Sequence, residues 1–181
     1  MTKRIILAVS GSISAYKSAD LTSKLRKKGY DIHVIMTEAA QAFITPLTLQ
    51  VLSKNPVHTD VMEEKLAERI NHIDLAKETD LFIVAPASAN TIAKLAHGMA
   101  DNMLTATALA LPSTTPKLVA PAMNTKMYEN PLTKKNLETL QEVGYQEILP
   151  KSGLLACGDT GRGALADIAA IIESIDNSLT R

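Results

Sequence analysis

The chain has 181 residues, 46% of them hydrophobic, with 19 Lys plus Arg against 19 Asp plus Glu. That allows one compact domain with a sizeable core and gives no overall field toward nucleic acid or an anionic membrane. Aromatics at 3% and no Trp argue against stacking platforms for single-stranded nucleic acid, and the longest apolar stretches are too short to span a bilayer.

Ile5 to Val9 is followed at once by polar residues, which is not the pattern of a secretory leader, and the single cysteine, Cys157, excludes an internal disulfide and fits a reducing cytoplasm. Arg4 to Val9 reads as a buried strand and Ala15 to Lys28 as a helix that Gly29 can close with a left-handed cap. Asp31 to Met36 is the next strand. Thr37 can cap a helix from Glu38 towards Leu52, broken or kinked at Pro46. A loop follows around Asn55 to Asp60, and Met62 to Lys77 has helical spacing. Leu81 to Ala85 is strand-like, and Asn90 to Leu111 reads as two helices parted near Gly98. Lys117 to Ala120 is a short buried strand, Pro131 to Val143 a helix, Tyr145 to Leu149 a strand and Ala166 to Ile175 the closing helix. Strands alternating with helices, with continuous apolar runs, imply an α/β single domain over 1–181: a doubly wound parallel sheet with helices on both faces.

Ligands of such sheets bind beyond the carboxyl ends of the strands. Ser10 to Ser14, Thr37 to Ala39, Pro86 to Thr91 and Pro121 to Met127 each follow a strand and converge there. In the first loop the small residues Gly11, Ser12 and Ser14 let backbone N–H groups approach an anion at a helix start. Gly11, Lys17 and Ser18 fall in register with a P-loop, but Tyr16 replaces its second glycine, and no strand ends in an acid suited to organising magnesium. Ile13 likewise breaks the dinucleotide fingerprint. In the third loop Ser88, Asn90 and Thr91 offer hydroxyl and amide groups to a polar ligand, or simply cap a helix; Asp101 and Asn102 have the same plain reading further on. His33, His58, His72 and His97 show no metal-binding spacing, so no metal is expected.

GSISAYK at Gly11 to Lys17, NHIDLA at Asn71 to Ala76, PASANT at Pro86 to Thr91 and PAMNTKMY at Pro121 to Tyr128 together resemble the homo-oligomeric flavin-containing cysteine decarboxylases, over nearly the whole chain. Tyr128 stands where many members have Trp, which keeps an aromatic ring. The resemblance implies a Rossmann-like flavoprotein fold and bound FMN, with Gly11, Ser12, Ile13, Thr37, Ser88, Ala89, Asn90, Thr91 and Ala122 lining the flavin site and Lys17 a solvated helix residue. It implies catalytic roles for His72, on the HIDLA motif, and for Cys157. It also implies substrate contacts from Asn124 and Met127. Asn124 offers a donor and an acceptor able to grip a carboxylate, or is a turn residue. Cys157 lies in GLLACGDTGRGALAD, a glycine-rich polar stretch of the kind that forms a mobile flap, about 151–165. A thiol with an ordinary pKa of about 8.5 stays mostly protonated at neutral pH and can act as an acid.

The reaction so implied is FMN-dependent decarboxylation of (R)-4'-phospho-N-pantothenoylcysteine to 4'-phosphopantetheine and CO2 in coenzyme A synthesis, by a cytoplasmic trimer or dodecamer with no nucleic-acid or membrane partner. A peptidyl-cysteine decarboxylase would not need Cys157. A non-catalytic flavin-binding regulatory subunit often carries an acidic tail, and this chain ends in IDNSLTR. Flavin prenyltransferases lack the PASANT string.

Overall fold

Five of the six residues of Arg4–Val9 (β1) are fully buried apolar side chains, and the strand lies between two others, so both of its faces need covering. Asp31–Met36 (β2), Val57–His58 (β3), Leu81–Ala87 (β4), Lys117–Pro121 (β5) and Tyr145–Glu147 (β6) complete an all-parallel sheet in the order β3-β2-β1-β4-β5-β6. The structure, a computed structural model, describes residues 2–63, 71–156, 158 and 160–180. Its helices are Lys17–Lys27 (α1), Glu38–Gln41 (α2), Pro46–Ser53 (α3), Asn71–Glu78 (α4), Ala89–Ala96 (α5), Met103–Leu109 (α6), Thr125–Glu129 (α7), Pro131–Glu142 (α8) and Ile168–Leu179 (α9).

The two-residue period of a strand divides the core. Ile5, Leu7 and Val9, with Ile83 and Leu118, pack against Leu21 and Leu25 of α1, Leu49 of α3 and Ile171 and Ile175 of α9. Ile6 and Ala8, with Phe82 and Val84, face Leu75 of α4, Ile92 of α5, Met103 and Leu104 of α6 and Leu137 and Leu140 of α8. Each fully buried side chain of this size contributes about 1.5–3 kcal/mol. With helices on both faces and the strand order of a doubly wound sheet, the fold is the Rossmann-like α/β architecture the sequence implies.

The amino end of the sheet is bound by charge. Arg4 Nε donates to Asp31 Oδ2 at 3.2 Å and its Nη1 pairs with Glu78. Asp80 accepts from the Arg4 backbone N–H at 2.8 Å and from Lys3 Nζ at 2.9 Å. Asn55 Nδ2 donates to Asp31 Oδ1 and to the Ile32 carbonyl, each at 2.9 Å.

Several boundaries differ from the sequence reading. The helix expected from Ala15 begins as a 3-10 turn, Ile13–Tyr16, before α1 takes over at Lys17. The helix expected from Glu38 towards Leu52 is interrupted ahead of Pro46, as expected, giving α2 and α3, and Pro46 opens the second, where its missing N–H costs nothing. The loop at Asn55 to Asp60 contains β3, an edge strand of two residues. Of the helix expected over Met62 to Lys77, Met62 and Glu63 are not helical, residues 64–70 lie outside the described residues, and the helical part described is α4. Within the expected flap, Lys151–Leu154 (β7) and Thr160–Ala164 (β8) pair as an antiparallel hairpin.

Candidate active site

Immediately after β1, Ser10 is fully buried and ties two loops together. Its Oγ donates to the Pro86 carbonyl at 2.8 Å and accepts from the Ser88 N–H at 2.8 Å. The loops after β1 and β4 are thereby locked side by side at the point where the strand order reverses, the usual ligand position in open α/β sheets. Each loop then feeds a capped helical start. Ser12 Oγ accepts from the Ser14 N–H at 3.2 Å, and Ser88 Oγ accepts from the Thr91 N–H at 3.2 Å. Gly11 is pressed on α2, since a Cβ there would lie 2.6 Å from Ala39 Cβ.

The loop after β5 joins them when the Ala122 N–H donates to the Ala87 carbonyl at 3.0 Å. Asn124 caps α7, its Oδ1 accepting from the Lys126 N–H at 2.8 Å. With Oδ1 so engaged, the donating atom of the amide is Nδ2. The hairpin lies over this loop: the Met123 N–H donates to the Gly163 carbonyl at 2.9 Å. Side chains are excluded at two points of that seat. A Cβ on Gly163, whose φ is +153°, would fall 2.3 Å from the Met123 carbonyl oxygen, and one on Gly161 would fall 2.6 Å from Thr125 Oγ1.

Where loops and hairpin meet there is a cleft of about 450 Å³, within the usual range of ligand pockets. It brings together Gly11, Ser12, Ile13, Ser88, Ala89, Ala122, Asn124 and Met127 of the expected site. Its walls combine serine hydroxyls and loop N–H groups with the apolar side chains of Ile13, Met123, Met127 and Leu154, and Lys17 is the one charged residue among the described lining. That donor set suits a flat aromatic ligand with an anionic tail, and the described lining holds no carboxylate or imidazole for proton transfer.

Other described residues of the expected site do not line this cleft. Thr37 spends its hydroxyl capping α2, Thr91 is buried beneath with Oγ1 3.2 Å from Ser88 Oγ, and Asn90 is exposed. His72 sits half-buried in α4, which packs on α6, and its Nδ1 is buried without a partner among the described residues. Cys157 lies outside the described residues. Sequence reasoning missed Ser10 as the staple, Met123 as the hairpin's seat and Leu154 as a wall. It also read Lys17 as solvated, whereas Lys17 lines the cleft with its Nζ 5.9 Å from the Tyr16 ring centroid. Nothing local marks Ser10, Met123 or Leu154, because each acts through contacts between distant segments. Among the described residues no three His, Cys, Asp or Glu side chains stand together as a metal site, and no helix is long and apolar enough to cross a membrane.

A doubly wound sheet with serine-rich loops at its switch point defines a nucleotide-type binding protein. The chain belongs to the Flavoprotein family, whose model matches residues 1–180. It is 63% identical over 179 residues to the probable phosphopantothenoylcysteine decarboxylase of Streptococcus mutans serotype c, covering 99% of this chain and 100% of that one. It is also 48% identical over 171 residues to the coenzyme A biosynthesis bifunctional protein CoaBC of Bacillus subtilis, covering 94% of this chain but 42% of that longer protein. Among solved structures it is similar to a PPC decarboxylase mutant complexed with pantothenoylaminoethenethiol, with a TM-score of 0.90 and 33% identity over the full length of both. The FMN binding protein AtHal3 is similar at a TM-score of 0.84 and 34% identity, over 98% of this chain and 96% of that one.

Proposed function

We propose that this protein is an FMN-dependent carboxy-lyase that converts (R)-4'-phospho-N-pantothenoylcysteine to 4'-phosphopantetheine and CO2, a step of coenzyme A synthesis carried out in the cytoplasm. The observation that carries this reading is the meeting, on one cleft, of the loops after β1 and β4 with Asn124 and Met127. The loops around Gly11, Ser12, Ile13, Ser88, Ala89 and Ala122 would hold the flavin, with Thr37 and Thr91 supporting them from behind and Asn90 offering its exposed amide.

Loss of CO2 from a cysteine leaves a carbanion with no place for its charge, and FMN, when bound, supplies the reversible two-electron chemistry that makes an electron sink available. The protein's part is orientation. Asn124 Nδ2 would donate to the substrate carboxylate while the Lys126 N–H fixes the amide through Oδ1. This holds the breaking bond across the developing π-system, a benefit of position. Met127 forms the wall beside it. His72 is assigned a role at the reacting centre and Cys157 the role of acid, returning a proton to the carbon that has lost CO2.

Because His72 does not reach the cleft of its own chain, we infer that it serves the cleft of a neighbouring subunit in a trimer or in a dodecamer of four trimers. Exposed apolar side chains around α3 support assembly: Leu47 and Val51, one turn apart on the helix, are 65% and 54% exposed, and Phe43, in the turn before it, is 47% exposed. The hairpin and residues around it, about 151–165, would act as the flap over the substrate. The test is incubation of the FMN-loaded protein with the phosphorylated cysteine substrate and mass detection of the decarboxylated amine thiol. Absence of that product from yellow, FMN-containing protein refutes the reading.

A further inference from the structure

Tyr128 is the largest of the fully buried side chains, yet it carries a polar group into the core. Its ring packs in the cluster with Leu137, Leu140 and Tyr145, and Lys134 Nζ lies 3.9 Å from the ring centroid. Its hydroxyl donates to Glu147 Oε1, in the edge strand β6, at 2.8 Å. Tyr128 therefore joins the carboxyl end of α7 to the rim of the sheet, while Asn124 caps the amino end of the same short helix. The two glycines of β8 rest on Met123 and Thr125, so whatever fixes α7 also fixes the floor on which the hairpin sits.

We propose that Tyr128 and Glu147 form a positioning pair that locks α7 to β6, holding Asn124 and Met127 in register with the cleft and the hairpin on its seat. The phenol keeps its proton as a donor throughout the working pH range: burial first, then the Glu147 hydrogen bond and charge, push it well above the ordinary tyrosine value, while Arg162 of β8 opposes this. Arg162 is thus within electrostatic reach of the pair. The pair acts through α7 and touches neither substrate nor flavin. Its effect on turnover rests on the function proposed above; its effect on the contact between Met123 and Gly163 does not.

The test uses the FMN-loaded protein and three variants: Tyr128→Phe, which removes only the hydroxyl, Glu147→Gln, which keeps a neutral acceptor, and Glu147→Leu, which removes it. A hydrogen bond to a charged acceptor is worth about tenfold in an equilibrium constant, or more. Amide hydrogen exchange at Met123, whose N–H is held by Gly163, is expected to be about tenfold faster in Tyr128→Phe and Glu147→Leu and intermediate in Glu147→Gln. The KM for the phosphorylated cysteine substrate is expected to rise by a similar factor, with kcat within about twofold and FMN affinity unchanged. The Tyr128→Phe, Glu147→Leu double variant is expected to be no worse than either single one, as for two halves of one interaction. Unchanged exchange at Met123 in Tyr128→Phe, or additive effects in the double variant, overturns the positioning pair. If the unaltered protein turns over no substrate, the proposed function falls, while the exchange measurement still decides the pair.

Discussion

The two ends of the sheet are built from different chemistry. At the amino end, β1, β2 and β4 begin among paired charges: Arg4 with Asp31 and Glu78, Lys3 with Asp80, and Asn55 bridging Asp31 to the backbone. At the carboxyl end β1 and β4 run out into serine, glycine and alanine, joined through Ser10 and backbone bonds, and Lys17 is the one charged residue among the described lining of the cleft. Paired charges satisfy one another and leave little for a ligand. Small neutral residues fix the backbone while leaving room and donors for one. One end should therefore govern stability and the other chemistry, and substitutions can be chosen to pull these apart.

The largest effects are expected at the carboxyl end. Asn124→Asp keeps an oxygen to cap α7 but replaces the Nδ2 donor with a negative oxygen facing the substrate carboxylate. His72→Asn removes a group able to exchange a proton. Each should lower kcat/KM by at least ~100-fold, with retained yellow colour and a thermal midpoint close to that of the unaltered protein. Turnover within tenfold of normal would remove the residue concerned from the proposed mechanism. A smaller effect is expected at the hairpin. Gly163→Val would drive a side chain into the Met123 carbonyl, and the resulting overpacking, worth about 1–3 kcal/mol, should raise KM roughly tenfold or more while sparing the core. Circular dichroism and steady-state kinetics on the same sample separate the two readouts.

The contrast also explains what the sequence could and could not disclose. Strands such as Ile5 to Val9 and Leu81 to Ala87 are legible because a sheet covered on both faces demands unbroken apolar runs. The cleft was legible as a set of loops, because each follows such a run. The hairpin was legible only as glycine-rich and polar: β7 and β8 have no alternating apolar pattern, and β8 sits where it does because Met123 and Thr125, far away in the chain, leave space only for glycine. The same holds for Ser10, which looks like any loop serine until Pro86 and Ser88 meet it, and for the Tyr128 hydroxyl, whose partner lies 19 residues further on. Pairings of this kind depend on the assembled sheet and leave no periodic trace in either segment.

At the amino end, Arg4→Ala tests the other half of the comparison. It strands Asp31 and Glu78, but the guanidinium is only partly buried, its side chain being 29% exposed. Solvent therefore screens much of the loss, and an expected destabilisation of about 1–2 kcal/mol follows, less than for a fully buried pair. The urea midpoint should fall while kcat and KM stay put. A loss of turnover without a loss of stability would show that the two ends are not separate.

The smallest expected effect is on the pH dependence of stability, and it belongs to the same end. Burial pushes the Asp31 carboxyl up, but hydrogen bonds from Asn55 and His33, the His33 charge and the Arg4 hydrogen bond outweigh it and hold the group below its ordinary value of 3.8. Asp80 is likewise held down, its burial outweighed by Lys3 and the Arg4 backbone N–H. A carboxyl with a depressed folded-state pKa binds fewer protons folded than unfolded. Its contribution is therefore present above the unfolded value and is lost as pH falls through the folded one. Stability should hold from neutrality to about pH 5 and decline below about pH 4. Asp31→Asn should be slightly less stable at neutral pH yet decline less steeply in acid, because one of the groups driving the loss has gone. Urea titrations of both proteins across that range check the slope. Parallel curves would mean that Asp31 titrates alike folded and unfolded, and that the charged end of the sheet owes its stability to Asp80 and its partners instead.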